Sequence, residues 1–174
     1  MTARNIALAG LFVAIMLILG YFEKILSLGL GYGIKLGLSN SVLLLCLYWF
    51  GVPMSIMLML VKVFLSTVLF GQFSHTFWLS LAGGALSMLG MSMMVFLVKD
   101  ISPVAAGVVG GVLHNLGQLA VAIFVFRIIP VIYTYIALLV VVGAAMGGIT
   151  GTLVVRLKHF LPYERRKQFG FTDQ

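Results

Sequence analysis

Charge is what this chain has least of. Of its 174 residues only 9% are charged, and four are acidic, where a soluble domain carries about 25% charged residues to keep its surface wet. The four acids are Glu23, Asp100, Glu164 and Asp173. No two lie close enough in sequence to pair around a divalent cation, the arrangement that a diphosphate-handling transferase requires. One cysteine and three widely spaced histidines offer no zinc-ligand spacing and no internal disulfide. The phosphate-cradling GxxxxGK[ST] run is absent, and Gly29-Leu-Gly31 is no dinucleotide fingerprint. These absences exclude an ordinary soluble enzyme and an unaided prenyl or phosphoryl transferase. No catalytic residue, metal or cofactor is expected, and the chain is read as not an enzyme.

What is present is apolar surface. Hydrophobic residues make up 62% of the chain and the mean hydropathy is +1.19. A bilayer core about 30 Å thick is crossed by roughly 20 apolar residues in helical form, so six spans consume most of the length. The expected fold is therefore all-α, a polytopic membrane protein of six transmembrane helices in one membrane domain, 1–174. The spans are placed at about 5–21, 36–50, 53–70, 76–98, 103–126 and 131–155. Glu23-Lys24 is read as the stop of the first, and a glycine-rich stretch, 28–35, follows it. Gly51-Val-Pro53 separates the second from the third, because proline is tolerated in a first helical turn. Ser102-Pro103 reads as a cap and first-turn proline for the fifth. The first segment lacks a basic leader and a convincing cleavage site, so it is read as a retained helix.

Basic residues orient the spans. With both termini in the cytoplasm, the inner segments hold Arg4, Lys99 and the basic tail 156–174, with Arg156, Lys158, Arg165, Arg166 and Lys167. The outer segments hold Lys24, Lys35 and Arg127. The excess lies inside, as expected for a multi-pass protein of the plasma membrane. A juxtamembrane basic tail accounts for the formal charge of +7 by contact with anionic lipid, and no nucleic-acid partner is expected.

Two features are costly in a membrane. Lys62 lies near the middle of the third span, where a lysine costs roughly 2.5–3.5 kcal/mol on insertion scales. It is expected to face a partner or a wet cavity; the plainer alternative is a lysine snorkelling along a tilted helix. In the fifth span, His114, Asn115 and Gln118 are spaced to share one helical face. They either hydrogen-bond a neighbouring helix or line a solute site. The outer half of the protein would then gather Lys35, Asn40, Lys62, His75, His114, Asn115, Gln118 and Arg127 as candidate binding residues. Its cations, with only Glu23 nearby to offset them, imply a small anionic solute.

Small residues recur at helical spacing. Gly107 and Gly111, and Gly143, Gly147 and Gly151, suit close packing between the fifth and sixth spans. Ala3, Ala7, Gly10 and Ala14 place such a face on the first span, where it serves internal packing or the docking of another membrane protein.

Three runs, Gly33-Ile-Lys-Leu-Gly-Leu-Ser-Asn40, Leu79-Ser-Leu-Ala-Gly-Gly-Ala-Leu-Ser87 and His114-Asn-Leu-Gly-Gln118, carry a resemblance. In order and spacing, across about residues 4–155, the chain resembles the substrate-binding S components of energy-coupling factor (ECF) vitamin transporters. It is most similar to the small branch called Gx transporters, also labelled heptaprenyl diphosphate synthase component I. The resemblance implies a six-helix S-component-like bundle that captures a vitamin- or cofactor-like solute from outside, with flavin- or quinone-related solutes plausible for the branch. It also implies a transmembrane coupling protein and two cytoplasmic ATPases as partners, met through an Ala-x-x-x-Ala surface that Ala3 and Ala7 match. The other label implies a non-catalytic membrane subunit of a prenyl synthase, and a subunit of a redox complex is a further alternative.

Overall fold

The computed structural model describes residues 3–27, 38–70, 75–98, 101–127, 132–157 and 160. Among these residues the regular structure is all helical: α1 (Ala3–Ser27), α2 (Leu38–Phe50), α3 (Val52–Phe70), α4 (His75–Leu97), α5 (Pro103–Phe124) and α6 (Ile132–Leu157). Five of the six are long and apolar enough to cross a membrane; α2 is not. Its 13 residues rise about 20 Å at 1.5 Å each, two-thirds of a hydrocarbon core. The expected second span is thus a shorter helix within the described residues. The large side chains left on the outside, among them Leu11, Phe64, Leu69, Leu97 and Phe124, would be untenable in water and suit acyl chains. The chain is a multi-pass membrane protein.

The local sequence explains where the helices turn. Gly51 has φ 85°, a left-handed conformation that costs an L-residue about 1–2 kcal/mol and glycine almost nothing. It closes α2, its N–H bonding the Leu47 carbonyl at 3.0 Å, and α3 begins at the next residue. Ser55 then donates its hydroxyl back to the Gly51 carbonyl at 2.8 Å. Ser102 caps α5 as expected, its Oγ accepting from the Ala105 N–H at 3.1 Å, with Pro103 in the first turn.

Glu23-Lys24 does not stop the first helix. Helix α1 continues to Ser27, because both side chains find partners at the helix end. Glu23 turns inward and is fully buried, while Lys24 donates to the Phe70 carbonyl at the end of α3, at 3.3 Å. That carbonyl belongs to the last turn and has no partner within its helix.

Helix α2 packs against all five others. Its Leu43, Leu44, Leu47 and Tyr48 form one core cluster with Met59 of α3, Met88 and Met91 of α4, Ala106 of α5 and Val154 of α6. Its Val42 and Cys46 join Ala9, Phe12, Val13 and Met16 of α1 and Leu58 of α3 in a second. There the Phe12 ring meets Trp49 and Phe50 edge-on at 5.9 and 5.8 Å.

Helices α5 and α6 touch backbone to backbone. A Cβ on Gly107 would strike the Gly147 carbonyl, one on Gly111 the Gly143 carbonyl, and one on Gly151 the backbone of Val104. The expectation of internal packing through these glycines holds. The small face of α1 is different. Ala3, Ala7, Gly10 and Ala14 are all exposed, and a Cβ on Gly10 would meet nothing within 4 Å.

Candidate functional site

The buried polar residues fall into two groups, one on α1–α3 and one on α4–α6. In the first, Glu23, Ser39, Asn40 and Lys62 are all buried, at 0%, 1%, 7% and 5% exposure. The Ser39 hydroxyl donates to Glu23 Oε2 at 3.2 Å. Lys62 is buried at 5% exposure, inside the bundle and not on its outer surface. Asn40 differs from its neighbours: its Nδ2 is buried and donates to nothing. Ser66 and Thr67, further along α3, are spent locally, both hydroxyls bonding the Val63 carbonyl at 3.0 and 2.8 Å.

In the second group the expected shared face divides between two neighbouring helices. His114 and Gln118 pair along α5, their Nε2 atoms 2.6 Å apart. Which atom donates in this contact depends on the tautomer of the imidazole. The ring lies against Gly83 of α4, where a Cβ would come within 2.8 Å of it. Asn115 turns to α6 and donates its Nδ2 to the Leu139 carbonyl at 2.6 Å. The reason is angular: 100° separates consecutive residues of a helix, enough to aim Asn115 at a different neighbour from His114. Asn115 thus serves helix packing through its nitrogen, and its buried Oδ1 remains without a partner.

The run Leu79–Ser87 supplies the wall opposite α5. Ser80, Gly83, Gly84 and Ser87 are buried, and the Ser87 Oγ has no hydrogen-bond partner.

The remaining candidates are peripheral. His75, exposed at the start of α4, stacks edge-on against Phe126 with centroids 4.1 Å apart. Arg127 is exposed beyond α5 with φ 52°, its N–H bonded to the Ile123 carbonyl at 3.1 Å. These two mark a rim and do not join either buried group. Lys35 lies outside the described residues. Two apolar grooves, one of about 450 Å³ between α4 and α5 and one of about 230 Å³ between α1, α2 and α6, include none of the candidate residues. The smaller is crossed by a 2.5 Å hydrogen bond between Ser41 and Thr150.

The sequence reading missed Glu23 as a site residue and took it for a helix stop. The signal was available: Glu23 follows the first apolar run within one helical turn, close enough for α1 to carry it inward. No group of three or more histidine, cysteine or acidic side chains among the described residues is placed to hold a metal ion.

Fold and site together define a polytopic helical membrane protein with buried polar groups and, among the described residues, no assembled catalytic constellation. The chain belongs to the heptaprenyl diphosphate synthase component I family, which matches residues 12–157. The family is that of a non-catalytic synthase component, not of an enzyme in its own right. The match takes in both buried groups and leaves Ala3, Ala7 and Gly10 outside it. No curated protein and no solved structure matches the chain.

Proposed function

We propose that the chain is a solute-capturing membrane component of the S-component type, a single membrane domain of residues 1–174 with six spans. The second span is the segment at about 36–50, and both termini lie on the cytoplasmic side of the plasma membrane. Its solute is small and vitamin- or cofactor-like, of the flavin or quinone-precursor class. It enters from the outer side, where Lys35, His75 and Arg127 supply cations or hydrogen-bond donors at the rim, and reaches Asn40, Lys62, His114, Asn115 and Gln118. Rim cations favour a solute with an anionic end. Uptake is driven by a transmembrane coupling protein and cytoplasmic ATPases, which meet the exposed face of Ala3, Ala7, Gly10 and Ala14.

One observation carries this reading: Asn40 keeps a buried amide donor with no acceptor, on the residue after Ser39, whose hydroxyl bonds the buried Glu23. A bundle that only had to pack would gain stability by replacing these groups with apolar ones of similar volume. A bound solute that accepts from Asn40 would remove the cost of the unmet donor.

The family match favours a second reading, a non-catalytic membrane subunit of a prenyl diphosphate synthase. A thermal-shift screen of the detergent-purified chain against anionic vitamins, flavins, quinone precursors and prenyl diphosphates separates the two. A ligand at 100 times its Kd stabilises the folded state by about 2.7 kcal/mol. The expected result is a specific shift with a vitamin- or cofactor-like compound that Asn40→Leu abolishes. A response confined to prenyl diphosphates supports the synthase subunit. No response from the whole panel removes the solute-binding reading.

A further inference from the structure

The larger apolar groove, between α4 and α5, owes its shape to side-chain size. Ala82 and Ala85 of α4 and Gly117 and Ala120 of α5 leave a depression, while the exposed Leu89 and Phe124 stand out beside it. The two helices run antiparallel, since Gly83 faces His114 while Gly90 faces Val109 and Leu113. Ala82 and Gly117 lie level, because a Cβ on Gly117 would strike the Ala82 carbonyl. From that level the lining extends along α4 to Leu89 and, in the opposite direction, along α5 to Val125. At 1.5 Å per residue the groove is roughly 20 Å long. Its volume of about 450 Å³ then leaves a width of about 5 Å, which suits a hydrocarbon chain whose carbons keep about 4 Å from their neighbours. A second helix, about 10–12 Å thick, is too wide to seat in it.

One end of the groove is cationic. Phe124 and Val125 line that end, and Arg127 stands exposed just beyond them, its N–H held by the Ile123 carbonyl at 3.1 Å. The start of α4 converges on the same place, where the exposed His75 ring meets Phe126. Neither α4 nor α5 carries an acidic side chain. Trp78, exposed close to the start of α4, is the kind of side chain that settles at the headgroup boundary.

We propose that the α4–α5 groove binds one anionic phospholipid, with an acyl chain along the groove and the phosphate on Arg127. The groove's length is about half of a bilayer that measures about 40–45 Å with its headgroups, so a lipid of one leaflet fits it from end to end. A guanidinium gives a phosphate charge-assisted, bidentate hydrogen bonds. A choline headgroup carries its own cation to compete for that phosphate, so anionic lipid is preferred to zwitterionic lipid. The site goes beyond the solute-capturing reading. Arg127 serves in both, so lipid binding is itself the readout.

The test uses the full chain, purified in detergent and stripped of lipid. Native mass spectrometry counts retained lipid, and the melting temperature is a second readout. The probes are dioleoylphosphatidylglycerol, dioleoylphosphatidylcholine with the same tails, glycerol phosphate with no tail, and a prenyl diphosphate. The natural protein should retain one phosphatidylglycerol and melt higher with it than with phosphatidylcholine. Ala120→Phe, which fills the groove from an exposed position, should lose that retention while melting as the natural protein does without lipid. Arg127→Gln should weaken phosphatidylglycerol binding roughly tenfold, to the level of phosphatidylcholine. Equal binding of the two phospholipids, or phosphatidylglycerol binding untouched by Ala120→Phe, would overturn the site. Equal stabilisation by glycerol phosphate would replace it with a free-anion site. Preference for the prenyl diphosphate would overturn the phospholipid as occupant and favour the synthase-subunit reading. If Ala120→Phe does not fold, Ala85→Phe on the facing helix makes the same test.

Discussion

At the scale of single residues, the protein's polar interior divides groups that spend their hydrogen bonds within the fold from groups that keep an unmet donor or acceptor. Asn115 belongs mostly to the first kind, since its amide bonds the Leu139 carbonyl across the α5–α6 contact. Interhelical side-chain hydrogen bonds in membranes contribute about 0.6 kcal/mol on average and up to about 1.7. Asn115→Leu should therefore lower the free energy of unfolding by roughly 1 kcal/mol, read in an equilibrium unfolding titration in detergent micelles. A loss several times larger would mean that Oδ1 also has a structural partner. Arg127 sits in the left-handed region at φ 52°, which costs an L-residue about 1–2 kcal/mol relative to right-handed backbone. Arg127→Gly should raise stability by about 1 kcal/mol, and if the guanidinium reads the solute it should weaken binding at the same time. A variant that is both more stable and fully competent in binding would remove Arg127 from the rim.

At the scale of helices, two glycine-bearing faces that look alike in sequence have opposite fates. On α5 and α6 the backbones are in contact, and Gly111→Ala forces a methyl group into the Gly143 carbonyl. Overpacking of this kind costs typically 1–3 kcal/mol, and rigid backbone on both sides places this case at the upper end. Gly10→Ala on α1 meets open space and should leave the melting temperature unchanged. Measuring both variants side by side tests the packing, because equal melting temperatures would contradict the α5–α6 contact. Ala7→Leu should likewise fold normally, yet reduce co-purification with the coupling partner. Undiminished assembly would show that partners dock elsewhere. Gly51 marks the other decisive point between elements, where Gly51→Ala at φ 85° should cost about 1–2 kcal/mol in an unfolding titration.

At the scale of the whole molecule, α2 is surrounded by the other helices and only 13 residues long. It brings Ser39 to Glu23 and so places polar groups inside the bundle. Orientation can be tested on the intact protein, since the chain has one cysteine, Cys46, which is buried. With Cys46→Ala as background, a cysteine introduced by Thr172→Cys should resist an impermeant maleimide in intact cells and react after permeabilisation. Labelling of intact cells would reverse the proposed topology and move the rim near Arg127 to the cytoplasmic side.

Much of this architecture was legible in the sequence because membrane solvation acts on composition. A 62% hydrophobic chain with few charges has no soluble alternative, and the hydrogen-bonding demand of a lipid interior leaves helices as the form for its long apolar runs. The Ser102 cap, the Gly51 turn and the glycines of α5 and α6 were readable for local reasons of sterics and backbone geometry. The partners of the polar groups were not, since one turn of helix aims neighbouring side chains at different elements. Only the tertiary structure decided that Glu23 turns inward to accept from Ser39, that Asn115 serves α6 while His114 lies on α4, and that Asn40 is left with an unspent donor. Local sequence fixes where a helix begins and ends, but the energy of a buried charge depends on which other helix stands opposite it.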